Sequence, residues 1–162
     1  MSIFMSFPGI QGETADMSHV GFLNIDYLEW SVARRITSPP GTSFDRESAN
    51  AEITDLFLIR RMDSATPRLF LEACCGSGKE ILIRLTKTGV GSGAETFAEY
   101  VLKNAIISDY EVTATKNDAI RPVEELTISF TGLELRYTPY DDRGKALASA
   151  SVGFDTSTNQ KL

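Results

Sequence analysis

Several groups of residues in this chain have the types that catalysis or ligand binding uses, and spacing decides each case. Gly76-Ser77-Gly78-Lys79-Glu80 carries the glycines and lysine with which a phosphate-binding loop neutralises nucleotide phosphates. That loop also needs a glycine where Ala73 stands and a magnesium-holding hydroxyl where Glu80 stands. It must open a helix whose N-terminus faces the anion, whereas here the sequence places a helix before it and a strand after it. Gly89-Val90-Gly91-Ser92-Gly93 reads as a hairpin connection and not as a dinucleotide fingerprint, because no acidic residue follows on a parallel strand. The chain has one histidine, His19. A triad would have to use it, with Asp16 or Glu13 as orienting carboxylate, and no strained nucleophile turn of the Gly-X-Ser-X-Gly kind exists to serve it. The expectation for His19 is local hydrogen bonding at a strand entrance.

The remaining groups also point away from chemistry. Cys74 and Cys75 are adjacent, so they lack metal-ligand spacing and could bridge only through a strained ring; they read as two small buried apolar residues. Glu124 and Glu125 lie in a strand pattern, where neighbours face opposite sides and cannot flank one substrate atom. Asp141 and Asp142 sit in Pro139-Tyr140-Asp141-Asp142-Arg143-Gly144, a turn composition. Arg34-Arg35 and Arg60-Arg61 are too few to form a nucleic-acid path and read as strand-end or interface charges. No catalytic residue, cofactor or metal is expected.

The elements that position these groups are mostly strands. Leu23, Ile25 and Tyr27 alternate with polar residues, and the phase then slips by one to Leu28, Trp30 and Val32, which implies a bulge or corner. Apolar runs follow over Ile53 to Ile59, Ile81 to Leu85, Ile106 to Ala114 and Leu126 to Tyr137, the last broken by Gly132 as at a barrel corner. A last strand is placed from about Ala146 to Phe154. Glu95 to Asn104 fits both helical and strand spacing, with strand preferred from Tyr100 onward. One helix is expected at about residues 65–75, with caps from Ser64-Ala65-Thr66, Pro67 in its first turn and Gly76 as a left-handed terminus. The segment from Arg34 to Asn50 reads as a long irregular loop and so as a contact arm. Together these elements predict a mainly β fold, an antiparallel barrel of two sheets with one short flanking helix, as a single domain over residues 1–162.

Composition agrees. With 162 residues the chain has length for one core, and 42% hydrophobic and 23% charged residues are ordinary for a globular protein. Sixteen Lys plus Arg against 22 Asp plus Glu give a net charge of −6, which disfavours phosphate backbones and anionic membranes. Residues 1–12 lack Lys and Arg and are interrupted by Ser2, Ser6, Pro8 and Gly9, unlike a secretory signal. The expectation is synthesis and folding in the cytoplasm.

The order of several short motifs resembles the haemolysin-coregulated protein family, Hcp. Gly12-Glu13-Thr14-Ala15-Asp16, then His19, then the strand ending Tyr27-Leu28-Glu29-Trp30-Ser31 is similar to the family's opening. The likeness continues through Ile53-Thr54-Asp55-Leu56-Phe57-Leu58, Met62-Asp63-Ser64-Ala65-Thr66-Pro67-Arg68-Leu69-Phe70 and Cys75-Gly76-Ser77-Gly78-Lys79. Leu102 to Ser108, Glu124 to Phe130, Leu135-Arg136-Tyr137 and Gly153-Phe154-Asp155 resemble its later strands, so the likeness spans roughly residues 9 to 155. Two loops depart from it. Arg34 to Asn50 carries Pro39-Pro40 and Asp45-Arg46-Glu47 where relatives are often glycine-rich, and glycine is sparse between Ser108 and Arg121.

The resemblance implies a two-sheet barrel with one helix, a structural tube subunit of type VI secretion that forms stacked hexameric rings. It implies partners in copies of itself and in the spike, sheath and effector proteins of the apparatus. It also implies export through that apparatus without a signal peptide, and a lumen in which effectors are chaperoned. A long loop reaching the adjoining ring is the family's stacking device; its match here is Arg34, Arg35, Pro39, Pro40, Phe44, Asp45, Arg46 and Glu47. A tail-tube protein of a phage-like contractile particle and a small-ligand-binding barrel are the alternatives. The chain is not expected to be an enzyme, to bind nucleic acid or to insert in a membrane.

Overall fold

A computed structural model describes residues 1–37, 47–89, 93–116 and 120–162. Strands β1 (Ser2–Ser6), β2 (Leu23–Ile25) and β3 (Tyr27–Glu29) open the chain. Four two-residue strands follow: β4 (Val32–Ala33), β5 (Ile36–Thr37), β6 (Glu47–Ser48) and β7 (Glu52–Ile53). Then come β8 (Leu56–Arg61), helix α1 (Thr66–Cys75), β9 (Lys79–Thr88) and β10 (Ala94–Thr113). The chain ends with β11 (Val123–Ser129), β12 (Gly132–Tyr137), β13 (Ala150–Asp155) and β14 (Gln160–Lys161).

All pairings are antiparallel, and they close on themselves. β1 pairs with β2 and β9, β9 with β10, β10 with β11, β11 with β8, and β8 with β3. Only Asp26 separates β2 from β3, and its N–H donates to the Ile59 carbonyl at 2.8 Å, so the strand turns the corner while staying bonded to β8. The circuit is a barrel of two sheets that share β10, with α1 packed against β10. Closure removes the unpaired edges that an open sheet would leave. β12, β13 and β14 continue the first sheet beyond the barrel wall.

The alternation seen in sequence fills the barrel. Leu56 and Leu58 from β8, Ile81 and Ile83 from β9, Leu102 from β10, and Leu126 and Ile128 from β11 are fully buried, with Met5, Leu23 and Leu69. Each contributes about 1.5–3 kcal/mol by leaving water. The chain also breaks and changes sheet at Phe130-Thr131, beside Gly132, where the sequence marked a corner.

Several expectations need correction. Glu95 to Asn104 is strand throughout; a bulge between Thr96 and Ala98 shifts the alternation at Phe97 and imitates helical spacing. β1 carries no clean alternation, because Phe4 and Met5 are consecutive and both buried, and so has no strand signature in the sequence. The last strand begins at Ala150 and not Ala146, and β14 follows it. Helix α1 ends at Gly76 in extended conformation (φ −68°, ψ 164°), not left-handed. Its N-cap Ala65 makes no side-chain bond; instead the Ala65 N–H donates to Asp63 Oδ1 at 2.8 Å and the Asp63 N–H to Thr66 Oγ1 at 3.1 Å.

Candidate assembly surface

The segment from Arg34 to Asn50 is not irregular where it is described. β4 pairs with β7 (Val32 with Ile53, Ala33 with Glu52) and β5 with β6 (Ile36 with Ser48, Thr37 with Glu47), which makes the foot of a two-stranded ribbon. Its base is clamped by the Ser31 N–H to Thr54 Oγ1 (2.8 Å) and the Thr54 N–H to the Ser31 carbonyl (2.9 Å). Asn159 Nδ2 donates to Asn50 Oδ1 at 2.8 Å, which ties the foot to the turn before β14. Val32, Ala33, Arg34, Arg35, Ile36 and Thr37 are all exposed. An isolated two-stranded ribbon is marginal in water, so this one is suited to being covered by something else. Arg34 and Arg35 lie between β4 and β5 with solvent-facing side chains; Glu47 begins β6; Pro39, Pro40, Phe44, Asp45 and Arg46 lie outside the described residues.

The opposite end of β8 is built differently. Arg60 and Glu124 are register partners on β8 and β11, and both are fully buried and ion-paired. Arg60 also pairs with Asp63 (2.5 Å), and the Tyr110 hydroxyl donates to Glu124 Oε1 (2.6 Å). Burial, then the hydrogen bond and charge of Glu124, push the Tyr110 phenol well above its ordinary value. Nearby, Arg121 pairs with Glu13 (2.7 Å) and the Ser64 N–H donates to Glu13 Oε1 (3.0 Å). The Arg121 bond holds the Glu13 carboxyl below its usual range. Every carboxylate of this cluster is paired with a cation or a hydrogen-bond donor, which ties the barrel end together. Sequence reasoning placed Arg60 at the surface. The signal it lacked was the cross-strand register that sets Arg60 opposite Glu124.

His19 is buried and its Nδ1 lies 2.8 Å from Asp16 Oδ1, with the ring stacked on Phe4 (centroids 4.4 Å apart) and edge-on to Phe22. The hydrogen bond to His19 lowers the Asp16 carboxyl below its usual range. Among the described residues the His19 side chain is bonded to Asp16 and packed between Phe4 and Phe22, with no serine or cysteine side chain hydrogen-bonded to it. In the Gly-Ser-Gly-Lys turn, a Cβ at Gly78 would overlap the Asn104 side chain and one at Gly76 the Glu72 carbonyl, so close approach accounts for both glycines. Lys79 is paired with Glu72 and not held open for an anion. Asp141 Oδ1 accepts from the Arg143 and Lys145 N–H groups at 2.9 and 2.8 Å, the turn role its sequence indicated. Cys74 and Cys75 depart from expectation: both are free and exposed. Among the described residues no group of three metal-ligating side chains converges, and no helix is long and apolar enough to cross a membrane.

Comparison with protein-family models matches residues 4–137 to the family described as "Type VI secretion system effector, Hcp". Among solved structures, one titled as a type six secretion system protein is similar at 21% identity over 99% of both chains, with a TM-score of 0.90. Hcp1 from Salmonella typhimurium is similar at 20% identity over 99% of this chain and 98% of that one, with a TM-score of 0.76. A type VI secretion system effector from Yersinia pestis has 21% identity over 94% and 98% of the two chains and a TM-score of 0.72. At these identities the likeness establishes the fold. No curated protein sequence matches the chain.

Proposed function

Since the chain belongs to the Hcp family of type VI secretion, we propose that it is a structural tube subunit with no catalytic role, one barrel domain over residues 1–162. It assembles as hexameric rings that stack through the extended loop at about residues 34–50, with Arg34, Arg35, Pro39, Pro40, Phe44, Asp45, Arg46 and Glu47 as contact residues. Its partners are further copies of itself and the spike, sheath and effector proteins of the apparatus. It is made in the cytoplasm, leaves with the spike, and holds effectors in the ring lumen.

The observation that supports this reading is the ribbon foot, whose side chains from Val32 to Thr37 are all solvent-facing although a ribbon of this kind gains little stability alone. Stacking by such a device needs shape and charge complementarity and no reaction. Native mass spectrometry and negative-stain microscopy of the purified protein test it: rings of about six chains are expected for a closed cyclic assembly. A strictly monomeric species at high concentration overturns the reading. In cells, the protein should reach the culture supernatant only when the secretion sheath is intact.

A further inference from the structure

The barrel mouth beside β1, β2 and the end of β8 is hollowed into a cleft of about 990 Å³. Small-molecule sites reach this volume, and barrel mouths are among the places where they form. Arg60 forms part of the floor. It is in phase with Leu56 and Leu58, whose side chains fill the barrel, and it is 1% exposed. Its two terminal nitrogens are held by Glu124 and Asp63, but Nε is buried with no hydrogen-bond partner among the described residues. A buried donor left in this way costs free energy that an incoming acceptor would recover. The ion pairs at this end of β8 therefore account for only part of the side chain.

Charge decides which acceptor fits. Arg60, Arg61 and Arg121 stand around the cleft against Glu13, Asp16, Asp26, Asp63 and, behind Arg60, Glu124. Carboxylates remain in excess even with the Met1 amino group counted. A phosphate or carboxylate at Nε would add a further anion beside Glu124 and Asp63, whereas a neutral carbonyl oxygen meets the same donor without that repulsion. The uncompensated charge sits at the rim. Among the described residues Asp26 has only Arg61 Nε for a cation, 3.8 Å away and beyond hydrogen-bond length, and its side chain is 55% exposed. Asp16 pairs with His19 through Oδ1 and with no lysine or arginine. Between floor and rim, Ile3, Phe4, Ile25 and Met62 supply an apolar wall on which an aliphatic stem can pack.

We propose that this cleft binds a small organic cation, with an ammonium or guanidinium at one end, a neutral carbonyl at the other and a short aliphatic stem between them. The carbonyl accepts from Arg60 Nε. The stem lies against Ile3, Ile25 and Met62, and the cationic group meets Asp26 and Asp16 at the rim. Amides of basic amino acids have this chemistry. The site is separate from the loop proposed for stacking, and it does not depend on the ring reading.

Isothermal titration of the whole, unsubstituted chain with L-argininamide tests this, beside agmatine, which lacks the carbonyl, and L-arginine, which carries a carboxylate in its place. L-Argininamide should bind saturably, one molecule per chain. Agmatine and L-arginine should each bind about tenfold more weakly, because the hydrogen bond to a charged donor is lost in one and opposed by Glu124 and Asp63 in the other. Asp26→Asn, at an exposed side chain and with an unchanged circular dichroism spectrum, should weaken L-argininamide about threefold. In protein labelled at isoleucine and methionine methyl groups, the signals of Ile3, Ile25 and Met62 should shift while those of Ile81 and Ile128 in the core stay in place. Absence of saturable binding overturns the proposal. So do agmatine or L-arginine binding as tightly as the amide, undiminished affinity in Asp26→Asn, or methyl shifts that spare Ile3, Ile25 and Met62.

Discussion

The two ends of β8 solve opposite problems. At its C-terminal end the chain satisfies itself: Arg60, Glu124, Asp63 and Tyr110 are buried together and paired within one molecule. Beyond its N-terminal end the ribbon foot leaves exposed side chains on short strand pairs and relies on a few clamps at Ser31, Thr54 and Asn50. Breaking a buried pair leaves an uncompensated charge, whereas trimming an exposed side chain removes little that water does not replace. Stability is therefore concentrated in the barrel.

Substitutions at the two ends should separate these roles. Glu124→Ala leaves buried Arg60 with Asp63 alone and the Tyr110 hydroxyl without its acceptor, and should cost about 3–5 kcal/mol in urea unfolding, enough to prevent ring formation as well. Leu58→Ala, in the wall between the two ends, should cost about 2–5 kcal/mol. Val32→Ala in the ribbon should stay within about 0.5 kcal/mol. A ribbon substitution as costly as the core one would dissolve the contrast.

Acid and base should act on the paired end as well. Glu13 and Asp16 are held below their ordinary values of 4.5 and 3.8, so the unfolded chain takes up protons first as pH falls through that range. Stability should then be level above pH 5 and decline below about 4.5, and Arg121→Ala should make the decline shallower. Tyr110 has the opposite sign: its raised value stabilises the fold below pH 10 and the contribution is lost above it, a limb that Tyr110→Phe should remove. Urea midpoints across pH measure both. The smallest effect on stability is expected from the double substitution Arg34→Ala, Arg35→Ala, within about 0.5 kcal/mol. By electron microscopy it should leave single rings intact and reduce their stacking.

The strands over Leu56 to Arg61, Ile81 to Leu85 and Leu126 to Tyr137 were legible because one face of each is buried and the other is not, so period-two alternation survives in the residues. The ribbon foot was not, since two-residue strands are too short to write an alternation. Arg60 was misplaced because a doublet of arginines carries no mark of which one turns inward. Cys74 and Cys75 were read as buried from their chemistry, and the single chain leaves them outside.

β10 runs for 20 residues through both sheets, bending at Asn104 (φ 49°) without a break in the polypeptide. It bonds to β9 and β12 along its first half and to β11 along its second. A pull along this strand loads its cross-strand bonds together in shear, so yielding requires many to fail at once. The ribbon foot offers such a load only two pairings of two residues each. A thrust borne by the barrel would therefore meet a stiff spar, and the load would pass through β10 before it reached the ribbon foot.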